Sequence, residues 1–177
     1  YTCGMKRSMV EKNPPIFREA NIDELSFVLN LYNFYILNTT VLSDHETITL
    51  EELQARLSYK TKKYKTFLVC HETEKNVVGF CFLTQFRKKA AYDSTAEIGL
   101  YLKPDHTGKK LGQSMIRFLE EYAKQNHIEV IIATISGENS PSMKLFEKMG
   151  YEQCAHYKQI ARKFDRRLDV MCYEKIL

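Results

Sequence analysis

"YLKPDHTGKKLGQSMI", residues 101–116, decides how this chain folds. It continues an alternating stretch, "TAEIGLYL" (95–102), in which Ala96, Ile98, Leu100 and Leu102 share one face and Glu97, Gly99 and Tyr101 the other. That period of two marks a strand, and Gly99 inside it suggests a bulge or a ligand close to the backbone. Past Pro104, Gly108 and Gly112 bracket a pair of lysines, and "LGQSMIRFLEEYAKQN" then repeats Met115, Leu119 and Tyr122 at helical spacing. A strand passing through a glycine loop into a helix turns backbone N–H groups outward at the positive end of the helix dipole, which suits phosphate oxygens. A tight turn with close helix packing would use the same pattern. Spacing excludes two nucleotide motifs: G-x-x-x-x-G-K-[ST] needs four intervening residues and a following lysine, whereas three intervene here and Gln113 follows, and G-x-G-x-x-G is absent.

Reading outward, the pattern on either side is strand-like or helical in turn. "IFREA" (16–20) alternates, and Asn21 with Glu24 makes a capping-box start for a helix carrying Leu25, Val28, Leu29, Tyr32 and Ile36 on one stripe. Thr49 and Glu52 repeat the box ahead of "LEELQARLSYKTK" (50–62). "YKTFLVCHE" (64–72) and "VVGFCFLTQF" (77–86) read as a hairpin across "TEKN". "IEVIIATI" (128–135) is apolar enough to be covered on both faces. "NSPSMKLFEKMG" (139–150) is a short helix entered at Asn139 or Ser140, with Pro141 in its first turn and Gly150 at its end. "YEQCAHYKQIARKF" and "RLDVMCYEKIL" close the chain as strands. The expectation is one α/β domain over residues 16–177 with a mixed sheet, preceded by a tail at 1–15 ending in Pro14 and Pro15.

Composition narrows the classes. A length of 177 residues with 44% apolar and 27% charged content is enough for one core, and no run approaches the ~18 apolar residues of a membrane span. The start has no apolar signal region, so a soluble cytoplasmic protein is expected. Five cysteines, an odd number without a C-x-x-C pair, suggest reduced thiols, with Cys70 and Cys81 as buried apolar groups. The five histidines show no metal-binding spacing, so no metal is expected. A net charge of +4 permits an anionic ligand without calling for nucleic acid, and "YKTKKYK" (59–65) reads as a solvated helix end running into a strand.

Taken together, "YLKPDHTGKKLGQSMI" and "GENSPSMKLFEKMGY" resemble the acetyl-CoA-binding core of the GCN5-related N-acetyltransferase (GNAT) superfamily. "LYNFYILNTTV", "AYDSTAEIGLYL" and "KFDRRLDVMCYEKIL" are similar to its phosphinothricin N-acetyltransferase group. The resemblance implies a GNAT fold, a mixed and mostly antiparallel sheet flanked by helices, with acetyl-CoA as cofactor. It further implies a small-molecule amine as acceptor, such as phosphinothricin, methionine sulfoximine or methionine sulfone, and a homodimer. The superfamily loop Q/R-x-x-G-x-G/A falls on Thr107–Gly112, departing at Thr107 and at Lys110, which replaces a glycine and is tolerable there if it keeps ordinary helical dihedrals.

By resemblance, Leu100, Tyr101 and Leu102 pair with the pantetheine arm. Gly108, Lys109, Lys110, Leu111, Gly112 and Gln113 hold the pyrophosphate, and Asn139, Ser142 and Lys148 line the rest of the cofactor site. Glu97 falls where the group places its general base, with a backbone N–H near Gly99 for the oxyanion. Phe34, Arg87 and Tyr92 are the acceptor-site candidates, Arg87 for a substrate carboxylate. Phe146 stands where the superfamily offers a proton donor, leaving Tyr101 or Tyr151 as substitutes. Asp165 and Arg167 replace a glycine and a tryptophan, changes that would reshape the pocket or dimer contacts. The alternatives are a catalytically weak acetyl-CoA-binding module, suggested by Phe146 and the altered loop, and an N-acetyltransferase of proteins or peptides.

Overall fold

The computed structural model describes residues 14–57 and 61–177. Cys3 and nearly all of the expected tail lie outside them, as does the 58–60 segment at the end of the second expected helix. Seven strands, β1 (Ile16–Glu19), β2 (Thr66–Cys70), β3 (Val77–Gln85), β4 (Thr95–Leu102), β5 (Val130–Ser136), β6 (Glu152–Lys163) and β7 (Arg166–Ile176), form one sheet in the order β1-β2-β3-β4-β5-β7-β6. Four helices, α1 (Leu25–Asn38), α2 (Leu50–Arg56), α3 (Leu111–Gln125) and α4 (Ser140–Lys148), complete the mixed α/β fold. None of the described helices is long and apolar enough to cross a membrane.

The capping signals act where the sequence puts them. Asn21 and Glu24 close a reciprocal box that starts a short 3-10 turn leading into α1, and Thr49 and Glu52 do the same for α2. The buried face of α1 comprises Leu25, Val28, Leu31, Tyr32 and Ile36, with Leu29 half-buried. It is wider on the Leu31 side than the expected stripe because α1 packs against α2 as well as β3 and β4. "YKTFLVCHE" and "VVGFCFLTQF" supply β2 and β3, paired antiparallel as expected. In the basic stretch, Lys63 pairs with Asp93 at 3.3 Å and Lys65 with Glu19 at 2.6 Å, while Tyr64 is buried.

Each sheet face has its own core. Alternation along β4 sends Ala96 and Ile98 into the core under α3 and α4, with Leu100 and Leu102 packed against it, and sends Tyr101 into the core under α1 and α2. Three layers result, helices on both sides of the sheet.

The β4–α3–β5 unit positions the site. β4 and β5 are the one parallel pair among the described strands, and they pair from Thr95–Val130 to Glu97–Ile132. Beyond that β4 stays paired with β3 out to Leu102–Gly79, and β5 with β7 out to Ser136–Val170, so the two strands part and a gap opens between them. Gly99 lies on this parted segment, but its strand runs in unbroken register with β3 and carries no bulge. The glycine is required for a different reason: a Cβ there would lie 2.2 Å from the Phe82 ring, which stacks on Tyr101. Gly99→Ala should therefore destabilise the fold by about 1–3 kcal/mol through overpacking. Denaturant unfolding checks this, and pairing it with Phe82→Leu should return part of the loss.

Candidate active site

The gap between the parted strands is a cleft. Its larger part, about 580 Å³, is bounded by Leu100 and Leu102 of β4, by Gly108 and Lys110 through Gln113 at the head of α3, and by Asn139, Pro141, Ser142 and Leu145 of α4. A smaller cavity of about 60 Å³ continues it between the strands, from Ile98–Tyr101 on one side to Ala133–Ser136 on the other, closed by Phe146. Both parts share Val41, Leu100, Asn139 and Ser142.

Backbone conformation shapes the larger end. Gly108 has φ +75°, and Lys110, the residue before α3, has φ 62° and ψ 2°. The condition of ordinary helical dihedrals at Lys110 is thus not met. The backbone keeps the left-handed turn that a glycine would adopt freely, and lysine bears a strain of about 1 kcal/mol or more. Among the described residues no side chain caps α3, whereas Asn139 Oδ1 caps α4 by accepting from the Ser142 N–H at 3.3 Å. The first turn of α3 thus presents N–H donors and the positive end of its dipole to the cleft. Gly112 serves packing as well, since a Cβ there would meet the Leu145 side chain at 2.7 Å. Thr107, in the place of a longer polar side chain, donates its hydroxyl to the Pro104 carbonyl at 2.9 Å and is tied to its own loop.

Of the residues nominated for the cofactor, Leu100, Tyr101, Leu102, Gly108, Lys110, Leu111, Gly112, Gln113, Asn139 and Ser142 come together on the cleft wall. Lys109 and Lys148 do not line it and are exposed. Several wall residues escaped sequence reasoning, Ser136 among them. Val41 and Thr134 carry no local signal, and Tyr35 reaches the site from α1 by donating its hydroxyl to the Leu102 carbonyl at 2.6 Å.

Glu97 is half-buried at the last paired position before the strands part, one residue ahead of the cavity wall. It shares its face with Tyr101, whose hydroxyl is pushed well above the ordinary range, chiefly by burial and further by surrounding negative groups including Glu97. Burial raises Tyr32 too, against the opposing pull of the Arg56 guanidinium. Tyr151, the other candidate proton donor, packs edge-on against Phe146 with ring centroids 4.9 Å apart and does not line the cleft. In the loop after β3, the Arg87 guanidinium lies over the rings of Phe86 and Tyr92 at 5.2 and 5.4 Å. Phe34 is exposed on α1, edge-on to Tyr35.

A parallel strand–helix–strand unit with strand edges left open where the strands part, and with an uncapped, lysine-flanked helix start beyond, suits a phosphate-bearing ligand. Residues 18–172 match the acetyltransferase (GNAT) domain family, and the chain belongs to it. It is therefore an acetyl-CoA-dependent N-acetyltransferase. Among curated relatives, L-methionine sulfoximine/L-methionine sulfone acetyltransferase of Pseudomonas paraeruginosa is 28% identical over 86% of this chain and 89% of its own. Phosphinothricin N-acetyltransferase of Streptomyces coelicolor is 26% identical over 88% and 92%. Among solved structures, ribosomal-protein-alanine N-acetyltransferase from Brucella melitensis superposes with a TM-score of 0.82 at 28% identity, covering 92% of this chain and 99% of that one.

The cleft suits the donor in its chemistry: N–H groups at the head of α3 and Lys110 would face a diphosphate, and the open strand edges would face an amide-bearing arm. Lys110→Gly should stabilise the fold by about 1 kcal/mol by relieving the left-handed strain. Its loss of coenzyme A affinity should shrink as salt rises, because what is removed is a screened charge. Thermal melts and calorimetry at two ionic strengths check both.

Proposed function

We propose that the protein transfers the acetyl group of acetyl-CoA to the amine of a small molecule, an amino acid or an analogue of the phosphinothricin or methionine sulfoximine kind, by direct attack with Glu97 as general base. One observation supports the reading: the strands part immediately after Glu97, one residue ahead of the wall of a cleft whose far end is an uncapped helix start. Bound acetyl-CoA supplies an acetyl thioester. Glu97 receives the proton of the attacking amine, directly or through one water, and N–H groups on the unpaired edge of β4 beyond Glu97 stabilise the developing oxyanion.

Phe146 has no proton to give. A thiol titrates near ~8.5, so the thiolate departs readily without an acid. Of the two tyrosines, Tyr101 lines the small cavity, but burial makes its hydroxyl a weaker acid than the departing thiol, so the thiolate leaves without it. Arg87, steadied between Phe86 and Tyr92, pairs with the carboxylate of an amino-acid-like acceptor, and Phe34 contributes an apolar surface. In the cofactor site, Lys109 and Lys148 act through their charge, not as part of the wall. The resemblance of the Brucella ribosomal-protein enzyme supports a second reading, transfer to a peptide N-terminus. We also propose a homodimer, supported by the sheet edge at β6, where Tyr157 and Ile160 are exposed.

Release of free thiol from acetyl-CoA, followed across amino acids, their sulfone and phosphinate analogues, simple amines and short peptides, decides between these acceptors. Coenzyme A binding with no turnover of any of them would favour a binding module. Glu97→Gln should lower kcat about 100-fold or more, leaving coenzyme A affinity nearly unchanged. Kinetics equal to the parent enzyme's would remove Glu97 from the mechanism.

A further inference from the structure

Lys163 is the last residue of β6 and is 2% exposed, yet no carboxylate pairs with its side chain among the described residues. Its ammonium donates instead to two backbone carbonyls far away in sequence, Ile36 in the last turn of α1 at 2.5 Å and Leu42 in the connection to α2 at 2.7 Å. Burial lowers its pKa, with Asp44 pulling the other way from a greater distance. Two carbonyls, one at the negative end of a helix dipole, are a sufficient reason to hold a cation there. The β6–β7 turn is two residues, Phe164 and Asp165, both with positive φ, so Lys163 faces Arg166 directly across the hairpin. Arg166 grips Glu138 with two 2.8 Å hydrogen bonds, and the other end of that tie is Thr40, whose hydroxyl donates to Glu138 at 3.1 Å. Ser136 on β5 donates to the Thr40 hydroxyl at 3.4 Å.

The cross-strand partners Lys163 and Arg166 thus hold Leu42 and Thr40, the residues on either side of Val41. Val41 lines both parts of the cleft. The rest of the connection is tied elsewhere, at Asp44 by Arg56 and at Ile48 by Asn33, so Val41 is the point at which the β6–β7 hairpin acts on the site.

We propose that Lys163 and Arg166 are positioning residues that pin the α1–α2 connection as a strap across the cleft, fixing Val41 as the wall that sets which acceptors reach Glu97. The proposal deepens the acetyl-transfer reading and rests on it for its kinetic consequences. The grip on the strap is a property of the folded chain alone.

Three measurements on the full chain test it: amide hydrogen exchange at residues 39–43, coenzyme A affinity by calorimetry, and kcat and KM over acceptors of increasing size. Lys163→Met should raise exchange at 39–43 by about 10-fold or more, with the β6–β7 amides unchanged. It should lower kcat/KM for the best small acceptor by about 10- to 100-fold while coenzyme A affinity moves by less than about threefold. Bulky acceptors should lose less than small ones, narrowing the preference. Arg166→Gln, an exposed change that spares the core, should show the same pattern at smaller amplitude, and Arg166→Lys should restore most of it. Unchanged exchange at 39–43, a loss of coenzyme A affinity equal to the kinetic loss, or equal losses for all acceptor sizes would each overturn the proposal. If Lys163→Met does not fold, Arg166→Gln decides alone. If the parent enzyme turns over no amine, the acetyl-transfer reading fails, and the exchange data still decide whether the strap is pinned as described.

Discussion

The loss of pairing between β4 and β5 after Glu97 and Ile132 is the constraint on which the site depends. Each strand keeps its other neighbour, so neither frays, but each is left with an edge of N–H and C=O groups facing a gap. Such edges must find water or another hydrogen-bonding chain. A donor with an amide-bearing arm can serve as that chain, in the manner of a strand added to a sheet. The parallel connection then sets the rest. The crossover helix between parallel strands must begin beyond the end of the first, so the start of α3 falls at the open end of the gap. The open strand edges and the helix start beside them are consequences of one topological step.

How the sequence foreshadowed this depends on distance along the chain. The alternation in "TAEIGLYL", the two capping boxes and the glycine-marked start of α3 are local, and each was readable because the responsible residues lie within a few positions of one another. The wall residues from the α3 loop and α4 followed from those local motifs together with the family resemblance. The point where β4 leaves β5 was not readable, because it is set by register between residues 97 and 132. Tyr35 meets Leu102 across 67 positions and Lys163 meets Ile36 across 127, and a lysine in an alternating strand reads as a surface residue. Gly99 shows the ambiguity of a local signal: a glycine in a strand was rightly marked as unusual, but the cause is the Phe82 ring and not a bulge.

Two departures from the family pattern lead to the same physical point. Lys110 and Asp165 stand where the resembling group has glycine, and both retain a left-handed backbone, at φ 62° and 58°. The surroundings therefore dictate the turn, and the residue tolerates it. For Asp165 a short polar side chain lessens the cost. For Lys110 the strain sits at the mouth of an anion site, where the added positive charge favours the bound ligand in return. The turn that places Lys163 opposite Arg166 is preserved in this way, and with it the geometry on which the strap depends.

The absence of an acid at Phe146 fits a wall built for exclusion. Phe146 and Val41 both bound the small cavity, and Phe146 is itself backed by Tyr151. A ring in place of a hydroxyl makes that part of the wall apolar, facing the polar side chains of Thr134, Ser136, Asn139 and Ser142. The charge that develops during transfer begins on the acetyl oxygen and ends on sulfur. Sulfur is the easier of the two to leave anionic, since a thiol is far more acidic than an alcohol. On the proposed reading, with Glu97 as base and strand-edge N–H groups as oxyanion donors, the more demanding part of the reaction is served and the departing thiolate needs little further help.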